Sequence, residues 1–316
     1  MHPASSLSPR FPAPCDGGKQ RGVALALLLW IVAALSLLVS GLTYLARTDV
    51  QLTALQRDQA QAQAAATGVG HLLLHELLLA RAAGDYDGRG IFARGYQFNG
   101  LELVARAVPA SGFVSLNMAS GELLAGLFRH HGGLAPGQAE ILAEDVLAWR
   151  ANVLRLGPEE ATLPEPQAGA QGGPFQVVED LLRVPGVSRA LYDRVSPVVH
   201  ALSAGQAGVD PAAAPAAVLR VLADGDQAVA AAVQESRQDM ASAEAGAYNA
   251  LVPTYLSAGG STAYCLEIDV TMTDGRVFQQ RIWVDTAAGA KGLPWRYTRV
   301  LPIVPLVTRS EVADGR

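Results

Sequence analysis

The chain has 316 residues, half of them hydrophobic, a formal net charge of −5 and only two lysines, Lys19 and Lys291. That length accommodates two compact domains plus a membrane segment, and the charge excludes a generally basic nucleic-acid binder. Two cysteines, Cys15 and Cys265, lie on opposite sides of a long apolar run, so neither a disulfide framework nor a cysteine-based zinc site is available.

The run itself, Val23 to Ala46, holds 24 residues without a charge. As a helix rising about 1.5 Å per residue it reaches roughly 36 Å, enough to cross a hydrocarbon core of about 30 Å with some tilt. The apolar part of a secretory signal is about 7–15 residues and ends in a small-residue cleavage site. This run is longer and ends in "LTYLART". Arg10, Lys19 and Arg21 precede it, which predicts a cytoplasmic N-terminus and export of the rest. Cys15 precedes the run and so is not placed like a lipoprotein cysteine. A single-pass anchor is the reading of these facts, with a cleaved signal as the alternative.

From Arg47 to about Ala83 the chain has no proline and is rich in Gln, Ala and Leu, so the helix is expected to continue. Leu72, Leu73, Leu77 and Leu79 are assigned to its apolar face. "AGDYDGRG" (Ala83 to Gly90) breaks it. "YQFNGLELVARAV" (Tyr96 to Val108) alternates and predicts one or two short strands. From Ser111 to about Glu235 helical segments alternate with punctuation. Ser120 and Ser188 read as N-caps, and Pro136 as a helix start with Ile141, Leu142, Val146 and Trp149 inward. "FQVVEDLLRVPGVSRALYDRVSPVV" reads as helix, Pro-Gly turn, helix. Asp210 reads as the cap of a helix with Pro211 in its first turn, and Asp226 opens another helix reaching about Asn249. Gly157 to Pro174 reads as a loop.

The C-terminal part is β. Tyr264, Leu266, Ile268, Val270 and Met272 alternate onto one face, Phe278, Ile282 and Val284 answer on a return strand, and Asp274-Gly275 is the hairpin turn between them. "WRYTRVLPIVPLV" predicts a third strand at an edge, given its prolines.

Candidate ligand residues are sparse. His71 and His75 are four apart on one helix but lack a third ligand. His130 and His131 end a helix, where histidine suits the dipole. Asp85 and Asp87 share a turn that would need distant help to hold Ca²⁺. Cys265 lies in a predicted strand and reads as core. No nucleophile elbow, phosphate-binding glycine loop or zinc-protease signature occurs, so no catalytic residue is assigned and no enzyme is expected.

The basic leader ending in Gly22, with the apolar run starting at Val23, resembles the processing site of type IV pilins and pseudopilins. Downstream, "GFVSLNMASGELLAGLF", "ILAEDVLAWR", "FQVVEDLLRVPGVSRALYDRV" and "VDPAAAPAAVLRVL" are similar, in this order, to segments of the protein K family of type II secretion minor pseudopilins. Met118 replaces the usual Thr in the first segment, and both usual Asn residues are missing from the last. The resemblance implies cleavage by a prepilin peptidase between Gly22 and Val23, with methylation of the new terminus. It also accounts for Leu27, since most pilins carry Glu at the fifth mature position and the K family characteristically lacks it. The implied fold is α+β and pilin-like: a long N-terminal transmembrane helix, an antiparallel sheet and a large all-α insertion. The implied layout is a leader (1–22), a transmembrane helix (23–46), a periplasmic helix extension with the first strands (47–110), an all-α inserted domain (111–240) and a C-terminal β part (241–316). The implied place is the inner membrane, with the C-terminal domain periplasmic, at the pseudopilus tip with the I and J minor pseudopilins and other pseudopilins as partners. Some family members bind calcium. Here "WRANVLRLGPEE" stands where relatives often have several aspartates, so no metal or other cofactor is assigned.

"LLRVPGVSRALYDRV" also resembles a helix-hairpin-helix, which would make a membrane-anchored DNA-uptake protein. Such hairpins need basic neighbours for phosphate. Between Ser111 and Glu235 there are 7 arginines and no lysine against 14 acidic residues, a net −7. That balance opposes the DNA reading, and no nucleic-acid partner is expected.

Overall fold

A computed structural model describes residues 21–155, 172–203, 205–237, 248–287 and 293–306, without the side chains of 21–24, 42–52 and 152–155. Residues 1–20 of the expected leader, residues 157–171 of the expected loop and residues 238–247 of the expected Asp226–Asn249 helix therefore lie outside the described residues. Helix α1 spans Arg21–Ala83, and the chain divides into two compact units, Met1–Asp58 and Gln59–Arg316.

In the first unit the described side chains of 25–41 are uncharged and exposed. Ser36 satisfies its hydroxyl by donating to the Val32 carbonyl one turn back, at 2.8 Å. Among the described residues no helix is long and apolar enough to cross a membrane. Positions 23–24 and 42–46 of the expected span are not among those with described side chains.

In the second unit, α1 lies on a sheet. Its buried stripe is Ala62, Ala66, Val69, Leu73 and Leu77, flanked by Ala65 and Leu74. Steps of three and four keep these on one side of a 3.6-residue helix. Leu72 and Leu79, assigned to the same face from sequence, are 55% and 56% exposed. They are in phase with each other but about 100° from Leu73. Gly70 lets the helix come close: a Cβ there would stand 3.2 Å from Ile268 Cδ1. Gly68 faces open space, so Gly68→Ala should stabilise the isolated chain by about 1 kcal/mol through helix propensity alone, read as a higher midpoint in urea. The helix ends where Gly84 takes φ +83°, the left-handed closing residue that glycine suits.

The sheet is antiparallel, with neighbours in the order β1 (Phe92–Phe98), β2 (Leu101–Pro109), β5 (Ala263–Thr271), β6 (Val277–Asp285) and β7 (Arg296–Val300). The short β8 (Val304–Leu306) also pairs with β6. The expected third strand is thus two pieces along one edge. The first hairpin turns at Asn99-Gly100, both at positive φ, as the right-handed twist of a two-residue turn requires. The second turns at Asp274-Gly275, where Gly275 donates to Met272 O at 2.9 Å.

Alternation is kept through both long strands. Leu103, Ala105 and Ala107 join Tyr264, Leu266, Ile268, Val270, Phe278, Ile282 and Val284 in the core under α1. Gln280 belongs to this run and is 1% exposed, with neither amide atom bonded among the described residues. A buried unpaired amide is costly, so Gln280→Leu should raise the unfolding free energy by about 1–3 kcal/mol, measured by equilibrium denaturation. The opposite face carries an in-register ladder, Arg106↔Glu267↔Arg281. It is ion-paired at 3.9 and 3.0 Å.

Between β2 and β5 the chain leaves the sheet and returns to the same place, because Pro109 pairs with Tyr264. The excursion is a helical body: α2 (Gly121–His130), α3 (Pro136–Arg155), α4 (Arg189–Val195), α5 (Ala216–Leu222) and α6 (Gln227–Ser236). A two-residue parallel pair, β3 (Val114–Ser115) with β4 (Val199–His200), ties its start to its middle. It has its own core, in which Leu123, Leu127, Val146, Leu181, Leu219 and Leu222 are buried.

Local signals set most of these helices. Ser120, Ser188 and Asp226 cap α2, α4 and α6 by accepting backbone N–H bonds, and Pro136 opens α3. Three expectations change. Ile141 is 62% exposed, one step out of phase with Leu142 and Val146. The "VVEDLL" segment is a 3₁₀ turn, Val178–Arg183, not an α-helix. Asp210 caps no helix: α5 starts at Ala216 after Pro215. Pro215 disfavours the helical conformation at Ala214, so Asp210 closes a tight turn, accepting from Ala212 N–H at 3.0 Å.

Candidate functional site

The sequence motifs fall on two parts of the chain, an apolar stem and a clamped helical body. In the stem, Gly22 and Val23 fall in the first turn of α1. Leu27 presents an apolar, 60% exposed side chain, and Trp30 and Leu37 project likewise. No carboxylate occurs between Ala24 and Gly41. A rod of exposed apolar side chains demands cover by lipid or by other apolar protein.

In the helical body the segments quoted above for their resemblance meet. Asn117 is the joint: its Nδ2 donates to Phe175 O and Ala201 O at 2.9 and 3.0 Å, and its Oδ1 accepts from Phe175 N–H at 2.7 Å. Arg150, which ends the "LAWR" segment, crosses to the same loop. Its guanidinium donates to Leu116 O at 3.1 Å and to Ala119 O at 3.0 Å, and burial pulls its pKa down. The Arg183 guanidinium lies 5.8 Å over the Trp149 ring. These polar residues are anchors of the fold. Sequence spacing did not reveal them, because every partner is more than 25 residues away; the only local signal was an Asn and an Arg inside otherwise apolar segments.

The end of α2 is a second polar knot. His130 Nε2 lies 2.8 Å from Asp224 Oδ1, Arg129 pairs with the same carboxylate, and Arg220 donates to His130 O. His131 Nε2 meets Arg194 O at 2.9 Å. Both histidines therefore close the helix end structurally.

The body is also tied to the sheet. Arg299 pairs with Glu179, Arg281 donates to Pro197 O at 3.3 Å, and Arg89 reaches the fully buried Asp210 at 3.4 Å. Phe113 packs on Trp283 with ring centroids 5.0 Å apart. Cys265 is buried in the same seam, and burial pushes its thiol pKa up.

The remaining candidates separate. His71 meets the Tyr297 hydroxyl at 3.1 Å and packs on Trp295, while His75 is exposed. Asp87 accepts from Arg89 N–H in an exposed turn. Among the described residues no group of three or more His, Cys, Asp or Glu could hold a metal ion. Around the Pro185-Gly186 turn the basic side chains are paired within the chain, Arg189 to Asp193 at 2.9 Å and Arg183 to Asp180 at 3.6 Å. That leaves little positive charge for phosphate.

No family model matches the chain, and no curated protein matches it. Among solved structures it is similar to the crystal structure of the GspK–GspI–GspJ complex from the type 2 secretion system of enterotoxigenic Escherichia coli. Identity is 17%, the match covers 81% of this chain and 99% of that chain, and the TM-score is 0.47.

Proposed function

We propose that this chain is a non-catalytic minor pseudopilin of the type II secretion system, of the K type, seated at the pseudopilus tip with I and J pseudopilins. In this reading a prepilin peptidase removes residues 1–22, residues 23–46 cross the inner membrane, and the C-terminal domain is periplasmic. It helps to start and cap the pseudopilus that exports folded proteins across the outer membrane.

The observation that carries the reading is architectural: a helical body inserted between two hydrogen-bonded strands, β2 and β5, of a sheet that packs on a long N-terminal helix. The order of the motifs within that body supports it, as does the uncharged stem. Leu27 supports tip placement on physical grounds. A carboxylate at that position would attract a neighbour's new amino terminus, and leucine removes that attraction. A bulky body above the sheet would also obstruct further stacking.

Co-expression with a prepilin peptidase should shorten the chain by its first 22 residues, leaving Val23 as the terminus by intact-mass analysis. Gly22→Ala should abolish most of that loss. A mature terminus anywhere else, or no recovery of the full chain with two small pseudopilins in detergent, would contradict the proposal.

A further inference from the structure

Where the helical body meets the start of β5, a cavity of about 180 Å³ opens, lined by Ser111, Phe113, His200, Gly205, Gln206 and Thr262 among others. Among the described residues no ionised side chain lines it. Its polar side chains differ in one respect. Gln206 Oε1 already accepts from the Ser257 hydroxyl at 2.8 Å. Ser261 Oγ donates to Ala263 O and accepts from Ala263 N–H. Two others are left over. Ser111 is 7% exposed and its hydroxyl has no partner among the described residues.

His200, 3% exposed, is the second. Its Nδ1 accepts from Leu202 N–H at 3.2 Å, which fixes the proton of the neutral ring on Nε2. No bond to Nε2 occurs among the described residues. The adjacent Cε1 edge faces Gly205, where an added Cβ would stand 3.4 Å from it.

A buried donor without an acceptor calls for an explanation. The Ser111 hydroxyl is such a donor, and the His200 ring lines the same space. We propose that this cavity binds a small carboxylate, held by His200 Nε2–H and the Ser111 hydroxyl. The wall favours that chemistry over the alternatives. A divalent cation would need oxygen ligands of negative charge, and none lines the space. With no guanidinium or ammonium among the described lining residues, neutral donors suit the single charge of a carboxylate better than the larger charge of a phosphate. The volume equals about six water molecules at roughly 30 Å³ each, room for acetate or the terminal residue of a peptide. Burial keeps the His200 ring neutral, its pKa pushed down to about 4, so the Nε2–H donor is present throughout the neutral range. The site stands whether or not the chain joins a pseudopilus.

The test uses the full chain in detergent with ring-¹⁵N histidine, titrated at constant neutral pH with sodium acetate and, separately, sodium chloride of equal ionic strength. One of the six histidine signals should move saturably with acetate, with a Kd of about 1–10 mM, and should vanish in His200→Gln. The thermal midpoint should rise with acetate and not with chloride. Ser111→Ala should weaken acetate binding about fivefold, the worth of one hydrogen bond. This arm decides the matter if His200→Gln fails to fold. A tripeptide with a free C-terminus, set against its amidated form, separates chain ends from free small acids. An absent or chloride-equal response, a response at a different histidine, or unchanged affinity in Ser111→Ala would overturn the site.

Discussion

Asn117→Ala is expected to lower the unfolding free energy by about 3–4 kcal/mol. The side chain makes three bonds to segments 58 and 84 residues away in sequence. Each bond is worth about 0.5–1.5 kcal/mol net. Truncation also leaves Phe175 N–H and O unpaired beside a ring that is 1% exposed, which adds the cost of burying unpaired polar groups. Arg150 supplies no substitute, since its donors are already spent on Leu116 O and Ala119 O. The adjacent Met118→Thr is the control. Met118 is exposed, and its N–H is held by Ser115 Oγ at 3.2 Å whatever its side chain. A change within about 0.5 kcal/mol is expected there. Paired urea titrations measure both, and equal effects would show that Asn117 is not a joint.

The contrast between these neighbours shows what the sequence could and could not reveal. β5 and β6 were legible because their alternation is strict and the Asp-Gly turn between them is local. The caps at Ser120, Ser188 and Asp226 were legible for the same reason. The buried face of α1 was not. "HLLLHELLLA" places leucine on nearly every side, so periodicity alone cannot choose a face. The choice is made by Ala62, Ala66 and Gly70, small residues that let the helix approach the sheet. Asp210 followed by Pro has the form of a helix start, yet Pro215 four residues further on overrides it. The role of Asn117, and the pairing of Arg89 with Asp210, depend on contacts over more than 50 residues. No spacing rule reaches that far.

The second large effect concerns acid. Burial is the one cause that lowers the His200 pKa, to about 4 from an ordinary 6.5. The folded state therefore binds the His200 proton more weakly than the unfolded chain does. For a histidine shifted down, the stabilisation is present in full above the unfolded value and is lost as pH falls toward the folded value. The window is thus from about 6.5 down to about 4, and the shift is worth about 3 kcal/mol at 1.36 kcal/mol per unit. The ring is buried against Trp283, centroids 5.7 Å apart, so solvent does not dilute this term. Protonation would also remove the Nδ1 acceptor used by Leu202 N–H. Denaturation curves of the wild type and His200→Gln across this range should therefore converge as pH falls. The variant should start less stable at neutral pH but lose about 3 kcal/mol less on acidification. Parallel curves would mean that His200 is not the group that makes the seam acid-sensitive. Because Phe113 and Trp283 share the seam with it, the same acidification should loosen the helical body from the sheet before α1 leaves its own core.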